Sequence, residues 1–377
     1  MVSEQMMDRL RNWPGRQIAN SALKLLRRSA LSLLPSAPIS HCGRIIAEMP
    51  VKSRWLAVKP SLVANFAERV ACDRSSRAET LRVFEGDLVI DPYSTLLLSN
   101  RQILWGSKDS IGREREPHLS SFFAKPKLFC KEIISLRGMF EDNYFHFFYD
   151  TLIKLMLCEL HVALDTPVLV STVLASQPFF QDCLKMGIFG KRPILTQNNT
   201  QLVGANRVYV PSPSEPGVEH LTAIARRFGA DRLPKEPTLK LYVARGRQAT
   251  NKRRLRNEAA LFRELEKRGF IFFDPQEHDL PTQISTFARA GLIVSPHGAG
   301  LTNVIWRQNA PLTVVELVNP SMSTLDMAYL STSLGHRHCI VDNLNDYGDP
   351  LRSSANADIP AVLRVVDGDL SRQLVAG

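Results

Sequence analysis

The second half of the chain alternates between short apolar runs and segments with helical hydrophobic spacing. Each run is followed by an amphipathic stretch after a short connection, which is the pattern of strands joined by crossover helices. The sequence therefore predicts an α/β fold with a parallel sheet in this half. The predicted elements are strand 239–244, helix 257–268, strand 270–273, helix 282–290, strand 291–295, helix 300–306 and strand 312–317.

The pattern upstream is less regular and predicts a second, mixed α/β unit. Strand-like runs lie at 81–90, 94–98, 102–105, 167–171 and 206–210, with helices near 143–160 and 177–186. Proline-rich breaks at 211–220 and 233–238 separate this region from the second half. We predict an N-terminal extension (1–40), an N-terminal α/β domain (41–232), a C-terminal α/β domain (233–345) and a tail (346–377) that packs back on the N-terminal domain.

The amino-acid composition indicates which kinds of molecule the protein binds. The 377 residues are 44% hydrophobic and 22% charged, as in an ordinary two-domain globular protein. Lys and Arg outnumber Asp and Glu by 47 to 37, which favours phosphorylated substrates, an anionic membrane or nucleic acid. No nucleic-acid motif or aromatic cluster accompanies the basic residues, so nucleic acid is not an expected partner. The six cysteines lack metal-ligand spacing, which fits a reduced, cytoplasmic setting.

Residues 16–34 predict an amphipathic helix with basic flanks. It is too charged to span a bilayer and lacks the cleavage pattern of a signal peptide. Two interpretations stay open: a helix on the surface of a membrane, and a helix packed on the protein. The expected location is the cytoplasm, with peripheral contact to the inner face of the cell membrane under the first interpretation.

A glycine turn joins a predicted strand to a predicted helix at residues 292–306. Pro296 ends the strand, His297 lies in the turn, and Gly298 and Gly300 flank Ala299 before the helix begins at Leu301. Such a turn places free backbone N–H groups at the positive end of a helix dipole, where phosphate commonly binds. The alternative is a purely structural turn.

A second predicted strand, 241–244, ends in Arg245 and leads into a basic loop that includes Arg253 and ends at Asn257. Ligands of open α/β sheets bind outside the carboxyl ends of the strands, so a cationic and a glycine-rich strand end together predict an anionic ligand. A guanidinium can bind a diphosphate in bidentate fashion without a metal. The alternative is a solvated surface loop.

The third candidate is a helical segment in which Asn143, His146 and Asp150 share one face among aromatic residues. These polar groups are costly to bury without partners. Asp150 can orient His146 or can itself act as a general base, and both possibilities stay open. The alternative is a core histidine beside a surface acid.

In this order the three segments resemble glycosyltransferase family 61, a family of bacterial capsule and polysaccharide biosynthesis. The resemblance covers about residues 80 to 345. The loop after Arg245 is longer and more basic than the family pattern. The residues that carry the resemblance are Asn143, Tyr144, His146 and Asp150; Arg245, Arg253, Asn257 and Glu258; Pro296, His297, Gly298, Ala299, Gly300, Leu301 and Asn303; and Glu316.

The resemblance implies a GT-B-type fold, with two Rossmann-like domains facing across a cleft. Residues 41–232 would then be the acceptor-side domain and residues 233–345 the nucleotide-sugar-binding domain. It implies an inverting, metal-independent transfer of a sugar from a nucleotide-diphosphate donor, most commonly a UDP-sugar, to a saccharide or lipid-linked acceptor, without a cofactor. Asp150 or His146 would be the base, with Asn143 beside them. The donor would be bound by Arg245, Arg253, Asn257, His297, Gly298, Ala299, Gly300, Leu301 and Asn303, with Glu316 on the ribose.

Asp367 and Asp369 form the only Asp-x-Asp, and we interpret them as solvated rather than as metal ligands. Two other functions fit the same pattern. One is a non-catalytic, sugar-nucleotide-binding scaffold of a polysaccharide assembly complex, and the other is a pyruvyl-type transferase that acts on glycans and needs no Glu316.

Overall fold

The structure is a computed structural model that describes residues 43–49, 63–64, 79–107, 116–212, 216–234, 236–246, 254–320, 326–344 and 354–376. The predicted helix at 16–34 and the predicted donor contact Arg253 lie outside the described residues. No helix in the described ranges is long and apolar enough to cross a membrane.

The described strands form two sheets. In chain order they are β1 (Gly43–Met49), β2 (Val63–Ala64), β3 (Glu79–Ile90), β4 (Leu97–Ser99), β5 (Gln102–Leu104), β6 (Leu128–Ser135), β7 (Val168–Ser171), β8 (Ile194–Gln197), β9 (Val203–Ser212), β10 (Leu239–Val243), β11 (Phe270–Phe273), β12 (Ala290–Pro296), β13 (Thr313–Val318) and β14 (Arg337–Asp342).

The helices lie between these strands, except for the last helix, which follows β14. They are α1 (Tyr144–His146), α2 (Leu152–Glu159), α3 (Thr172–Ala175), α4 (Pro178–Lys185), α5 (Val218–Arg227), α6 (Glu258–Glu266), α7 (Leu280–Ala288), α8 (Asp326–Ser333) and α9 (Ile359–Ala376). A π-helix (Phe147–Thr151) joins α1 to α2, and 3₁₀ helices form at Trp105–Ser107, Leu119–Phe122, Ala230–Arg232, Pro275–Glu277 and Ala299–Trp306.

The first sheet is mixed. Its order is β5-β4-β3-β9-β6-β7-β8, with β1 also paired to β3. Strands β9, β6, β7 and β8 run parallel, whereas β1, β3, β4 and β5 pair antiparallel with their neighbours. The parallel part directs the carboxyl ends of β6, β7 and β8 to one edge, where the segment leading to α1 begins.

The second sheet is parallel throughout, in the order β11-β10-β12-β13-β14-β2. This confirms the parallel sheet predicted from the alternation. The chain leaves β10 for β11 on one side and then returns to β12 on the other side. The order of the strands therefore reverses between β10 and β12, which is the position where doubly wound sheets bind ligands.

Helices cover both faces of the second sheet. Alternate side chains of β10 point to opposite faces, so Leu241 and Val243 enter one core and Tyr242 enters the other. The first core continues into the N-terminal half, because Trp306 packs edge-on against Phe148 at 5.3 Å between ring centroids. The two halves therefore share a continuous apolar core at this contact.

The structure adds strands that the hydrophobic pattern does not predict: β1, β2, β6, β8 and β14. Only the last residues of β6 are buried, and Lys131 and Glu132 interrupt its apolar run. β8 is short and largely half-buried. β14 begins with the polar pair Arg337–His338, which conceals the strand in the sequence.

The C-terminal tail differs from its predicted position. Its helix, α9, buries Val362 and Val366 in the core that contains Tyr242, and it contacts β13, β14 and α6 of the second sheet. The prediction that this tail packs on the N-terminal domain is therefore wrong for α9. Asp367 is also not merely solvated, because it accepts from Arg268 at 2.7 and 3.0 Å.

Candidate functional site at the carboxyl ends of the second sheet

Arg245 and His297 meet at the reversal point of the second sheet. Arg245 lies two residues beyond β10, and His297 directly follows β12. The Arg245 guanidinium donates through Nη1 to the His297 carbonyl oxygen at 2.7 Å. The structure thus brings together the cationic and the glycine-rich strand ends that the sequence places about fifty residues apart.

The glycines of the turn allow this close approach. A methyl group at Gly298 would collide with the Arg245 guanidinium, and one at Gly300 would lie 3.3 Å from Val243 Cγ1. The turn opens the 3₁₀ helix Ala299–Trp306, where an α-helix had been predicted. The first N–H groups of a helix have no partner within it, so the amides of residues 298–300 are the ones placed to meet an anion.

Leu301 is a less suitable ligand contact than the sequence predicts. Its side chain is buried and its backbone N–H already donates to the Gly298 carbonyl oxygen at 3.0 Å. It therefore closes the turn instead of facing a donor.

Glu316 is held by two histidines. His297 contacts its Oε1 through Nδ1 at 2.6 Å, and His338 contacts its Oε2 through Nε2 at 2.9 Å. Only 2% of the Glu316 surface is exposed. Burial would raise the pKa of Glu316, but the two imidazoles outweigh it and lower the pKa from 4.5 to about 2.

This geometry favours a different role for Glu316 from the predicted contact with a ribose. With both carboxylate oxygens engaged and the side chain buried, Glu316 presents no atom to a ribose hydroxyl. It instead fixes the ring of His297, whose Nε2 is the nitrogen that does not contact Glu316. His338 is a residue that sequence reasoning missed, because β14 itself was not predicted.

Asn303 is a junction between the two halves. Its Oδ1 accepts from Tyr144 Oη at 2.6 Å and from Trp306 Nε1 at 2.7 Å, while its Nδ2 donates to Gln283 Oε1 at 3.0 Å. Asn303 is completely buried and both polar atoms of its amide have partners, which favours a structural role over the predicted contact with the donor. Its contact with Tyr144 places α1 against the 3₁₀ helix that follows the glycine turn.

Asn257 also has a structural partner. Its Nδ2 donates to the Ala357 carbonyl oxygen and its Oδ1 accepts from the Ala357 N–H, both at 2.9 Å. This pair of bonds fixes the segment before α9 to the start of α6. The side-chain amide is therefore engaged with the backbone, which favours a structural role for Asn257 over the predicted contact with a donor.

His146 and Asp150 form a pair across the π-helix. His146 Nδ1 lies 2.6 Å from Asp150 Oδ2. The histidine side chain is 28% exposed and the aspartate side chain only 10%. Asp150 is therefore positioned to hold the imidazole ring, and the side chain of His146 is the more accessible of the two. Single π-turns inside helices often occur at functional sites.

Asn143 begins the helix that carries this pair. Its side-chain Oδ1 accepts from the Phe145 N–H at 2.9 Å, which is the contact of a helix N-cap. The sequence placed Asn143 with His146 and Asp150 on one face, but the structure uses its side chain to start α1. Tyr144, the next residue, is a contact whose role the sequence did not indicate.

A buried ion pair supports the loop before this helix. Arg137 Nε donates to Glu141 Oε1 at 2.8 Å, and both side chains are almost fully buried. Arg137 also donates to Gln197 at the end of β8 and to the Pro92 carbonyl oxygen. Sequence reasoning missed this network, because β6, the strand that precedes it, was not predicted. In the described ranges, no group of three or more His, Cys, Asp or Glu side chains is arranged to hold a metal ion.

The fold and the site together define a class: an α/β protein with cationic and amide groups at a sheet reversal point and a histidine–aspartate pair on an adjoining helix. Residues 144–315 match the family model Glycosyltransferase 61. The match supports the assignment of this segment to glycosyltransferase family 61 and supports a glycosyltransferase enzyme. Such an enzyme acts on a sugar donor and an acceptor. A search of curated proteins found no match.

Proposed function

We propose that this glycosyltransferase transfers a sugar from a nucleoside-diphosphate donor by a single, inverting displacement. The observation that carries the proposal is the 2.6 Å bond from Tyr144 Oη to Asn303 Oδ1. It joins the helix that carries His146 to the helix that follows Gly298. A proton acceptor and an anion-binding turn therefore lie on elements in direct contact, as a displacement between two substrates requires.

His146 is the proposed general base and Asp150 its positioning residue. With Nδ1 directed at Asp150, the ring offers Nε2 to the acceptor hydroxyl. As the hydroxyl proton moves to Nε2, the hydroxyl oxygen forms a bond to the anomeric carbon. The bond from that carbon to the diphosphate oxygen breaks, and its electron pair leaves with the nucleoside diphosphate. The proton then passes from His146 to solvent.

The departing diphosphate would be stabilised at the reversal point of the second sheet. Arg245, His297 Nε2 and the amides of residues 298–300 are the groups assigned to it. The proposal needs no metal ion, because these groups supply the compensating charge and hydrogen bonds. It includes a GT-B-type arrangement, in which the first sheet serves the acceptor and the second the donor. A UDP-sugar donor and a saccharide or lipid-linked acceptor are expected from the family.

Ligand binding tests the donor half of the proposal. The purified protein would be melted with UDP, ADP, GDP, CDP or dTDP, each with and without EDTA. A ligand at a hundred times its Kd stabilises the folded state by about 2.7 kcal/mol. We expect one nucleotide to raise Tm equally with and without EDTA, and Arg245→Ala to abolish the shift.

Arg289→Ala is the matched control. This exposed arginine precedes β12 at the opposite end of the sheet, so its removal should leave the shift intact. Equal loss in both variants, a shift that requires a metal, or no shift with any nucleotide would contradict the proposed donor site.

Transfer kinetics test the base. With the nucleotide sugar identified by melting, His146→Gln should lower kcat by about 10²-fold or more, since a positioned base contributes that much. Asp150→Asn should lower kcat less, because it leaves the ring in place but changes its hydrogen bond. An unchanged kcat in His146→Gln would refute the assignment.

A further inference from the structure

His338 is a buried histidine that the proposed mechanism does not use. Its side chain is 0% exposed, and its Nε2 contacts Glu316 Oε2 at 2.9 Å. The other oxygen of that carboxylate, Oε1, contacts Nδ1 of His297 at 2.6 Å. The three side chains therefore form a hydrogen-bonded cluster that runs from β14 through β13 to the turn after β12. Of the three, only His297 is more than 2% exposed, at 11%.

The contacts determine where the protons of this cluster lie. The pKa of Glu316 is lowered to about 2, so Glu316 is a carboxylate at neutral pH and its oxygens can only accept. His297 must then donate from Nδ1, and His338 must donate from Nε2. One nitrogen remains on each ring, Nε2 of His297 and Nδ1 of His338. With both of these unprotonated, the cluster carries one buried negative charge, which would repel a diphosphate.

One further proton neutralises the cluster, and the surroundings of the two rings decide which nitrogen takes it. The Nδ1 of His338 is buried and has no hydrogen-bond partner among the described residues. A proton there would leave a charged N–H buried and unpaired, which is costly. The Nε2 of His297 belongs to the more exposed ring, and an N–H there can donate to a ligand. The further proton is therefore favoured on His297.

Arg245 opposes this protonation until an anion binds. Its guanidinium donates to the His297 carbonyl oxygen at 2.7 Å, so a second positive charge beside it is unfavourable. A diphosphate compensates both charges. Two other titratable groups lie on or next to β14. Asp342 ends the strand and is exposed, so solvent screens its charge. His336 precedes the strand, and burial lowers its pKa to about 4, which leaves it neutral at pH 7.

We propose that Glu316 and His338 together direct a proton to His297, so that His297 meets the diphosphate as a cation. This rests on the proposed function, which places the diphosphate at His297. The cationic ring donates its Nε2–H to a phosphate oxygen, and such a charged hydrogen bond is roughly twice as strong as a neutral one.

His338 is the positioning residue in this arrangement, because it acts through Glu316. Its N–H stabilises the carboxylate form of Glu316. Without that N–H, the proton between Glu316 and His297 would move to the buried carboxyl group. His297 would then be neutral, with a proton on Nε2 only, and its hydrogen bond to the phosphate would be weaker.

Long-range ¹H–¹⁵N NMR of the full chain tests this, with and without UDP, ADP, GDP, CDP or dTDP. With a nucleotide bound, we expect protons on both nitrogens of His297 and none on Nδ1 of His338. His338→Met should leave His297 protonated on Nε2 only and raise the nucleotide Kd about tenfold, the difference between a charged and a neutral hydrogen bond. His338→Gln keeps an N–H toward Glu316 and should retain the unaltered pattern and affinity.

The pH dependence of binding is a second readout. If a proton is taken up with the nucleotide, its Kd should rise between pH 7.5 and 9, by up to about tenfold per pH unit. A phosphate group loses its last proton near about pH 6, so the rise reports on the protein. His297→Gln should remove the rise. His336→Gln is the matched control, because His336 is 1% exposed and has no contact with Glu316 in the described ranges, and it should keep the rise.

The outcomes separate this proposal from the donor site itself. A proton on Nδ1 of His338, or a neutral His297 with nucleotide bound, overturns the proposal and leaves the donor site in place. Unaltered affinity in His338→Met does the same. If no nucleotide binds, the donor site is wrong. The free protein then decides the proposal: as the pH is lowered from 8 to 5, a proton on Nε2 of His297 supports it, and a proton on Nδ1 of His338 overturns it. Circular dichroism checks the fold of both His338 variants, and the spectra of the unaltered protein decide if either unfolds.

Discussion

Replacing Glu316 by Gln tests how the buried carboxylate between His297 and His338 acts. In the folded chain the pKa of Glu316 is lowered from 4.5 to about 2, which corresponds to a stabilisation on the order of 3 kcal/mol. Because the folded pKa lies below the unfolded one, this stabilisation is fully present above pH 4.5. It is lost as the pH falls from 4.5 toward 2.

Urea unfolding at pH 7, 4 and 3 measures this effect in the unaltered protein and in Glu316→Gln. At pH 7 the variant should be less stable by about 3 kcal/mol, because the amide replaces a paired carboxylate. The difference should shrink between pH 4 and pH 3. Glu264→Gln is the control, since Glu264 pairs with Lys267 at the surface and should change stability very little.

The same substitution has a readout at His297. Long-range ¹H–¹⁵N NMR of the histidine side chains reports which ring nitrogen carries the proton. Loss of the carboxylate should change the protonation pattern of His297 and His338 and leave that of His146 unchanged. An equal stability of Glu316→Gln at pH 7, or a difference that does not depend on pH, would refute the reasoning.

Two other substitutions test the geometry of the site. Gly298→Ala should reduce nucleotide binding and retain the fold, because its methyl group collides with the Arg245 guanidinium. The nucleotide-induced shift in Tm measures binding, and circular dichroism measures the fold. An unaltered shift in Tm would contradict the proposed packing. Tyr144→Phe should lower stability by about 1 kcal/mol in urea unfolding, since Asn303 Oδ1 keeps its bond from Trp306 Nε1. A wild-type stability would mean that this bond does not hold α1 in place.

The sequence predicted the second sheet well because its local signals agree. The strands β10, β12 and β13 are short apolar runs with nearby turn residues, and the order of elements along the chain is the order of a crossover fold. Parallel geometry then requires Arg245 and His297 to lie at the same edge of that sheet. The sheet topology therefore predicts that Arg245 and His297 lie close together. The spacing of the two residues in the sequence does not predict the hydrogen bond between them.

The roles of Asn303, Asn257 and Glu316 could not be predicted for a different reason. Each is satisfied by a residue distant in sequence: Tyr144, Ala357 and His338, respectively. A polar residue in a functional motif can contact the ligand or hold a residue that does, and its spacing in the sequence is the same in both cases. Only the burial and the partners distinguish the two, so tertiary packing decided these assignments.

The contact of Trp306 with Phe148 and the Tyr144–Asn303 bond constrain how the two halves can move. Trp306 is completely buried, and exposing an aromatic side chain of this kind costs roughly 2–3 kcal/mol in apolar surface alone. A wide separation of the halves at this point would also break the hydrogen bond from Tyr144 Oη to Asn303 Oδ1. Rearrangement during substrate binding should therefore pivot about this contact and not open it. In that case His146 and the glycine turn keep a fixed relation, and their alignment is built into the folded chain before either substrate binds.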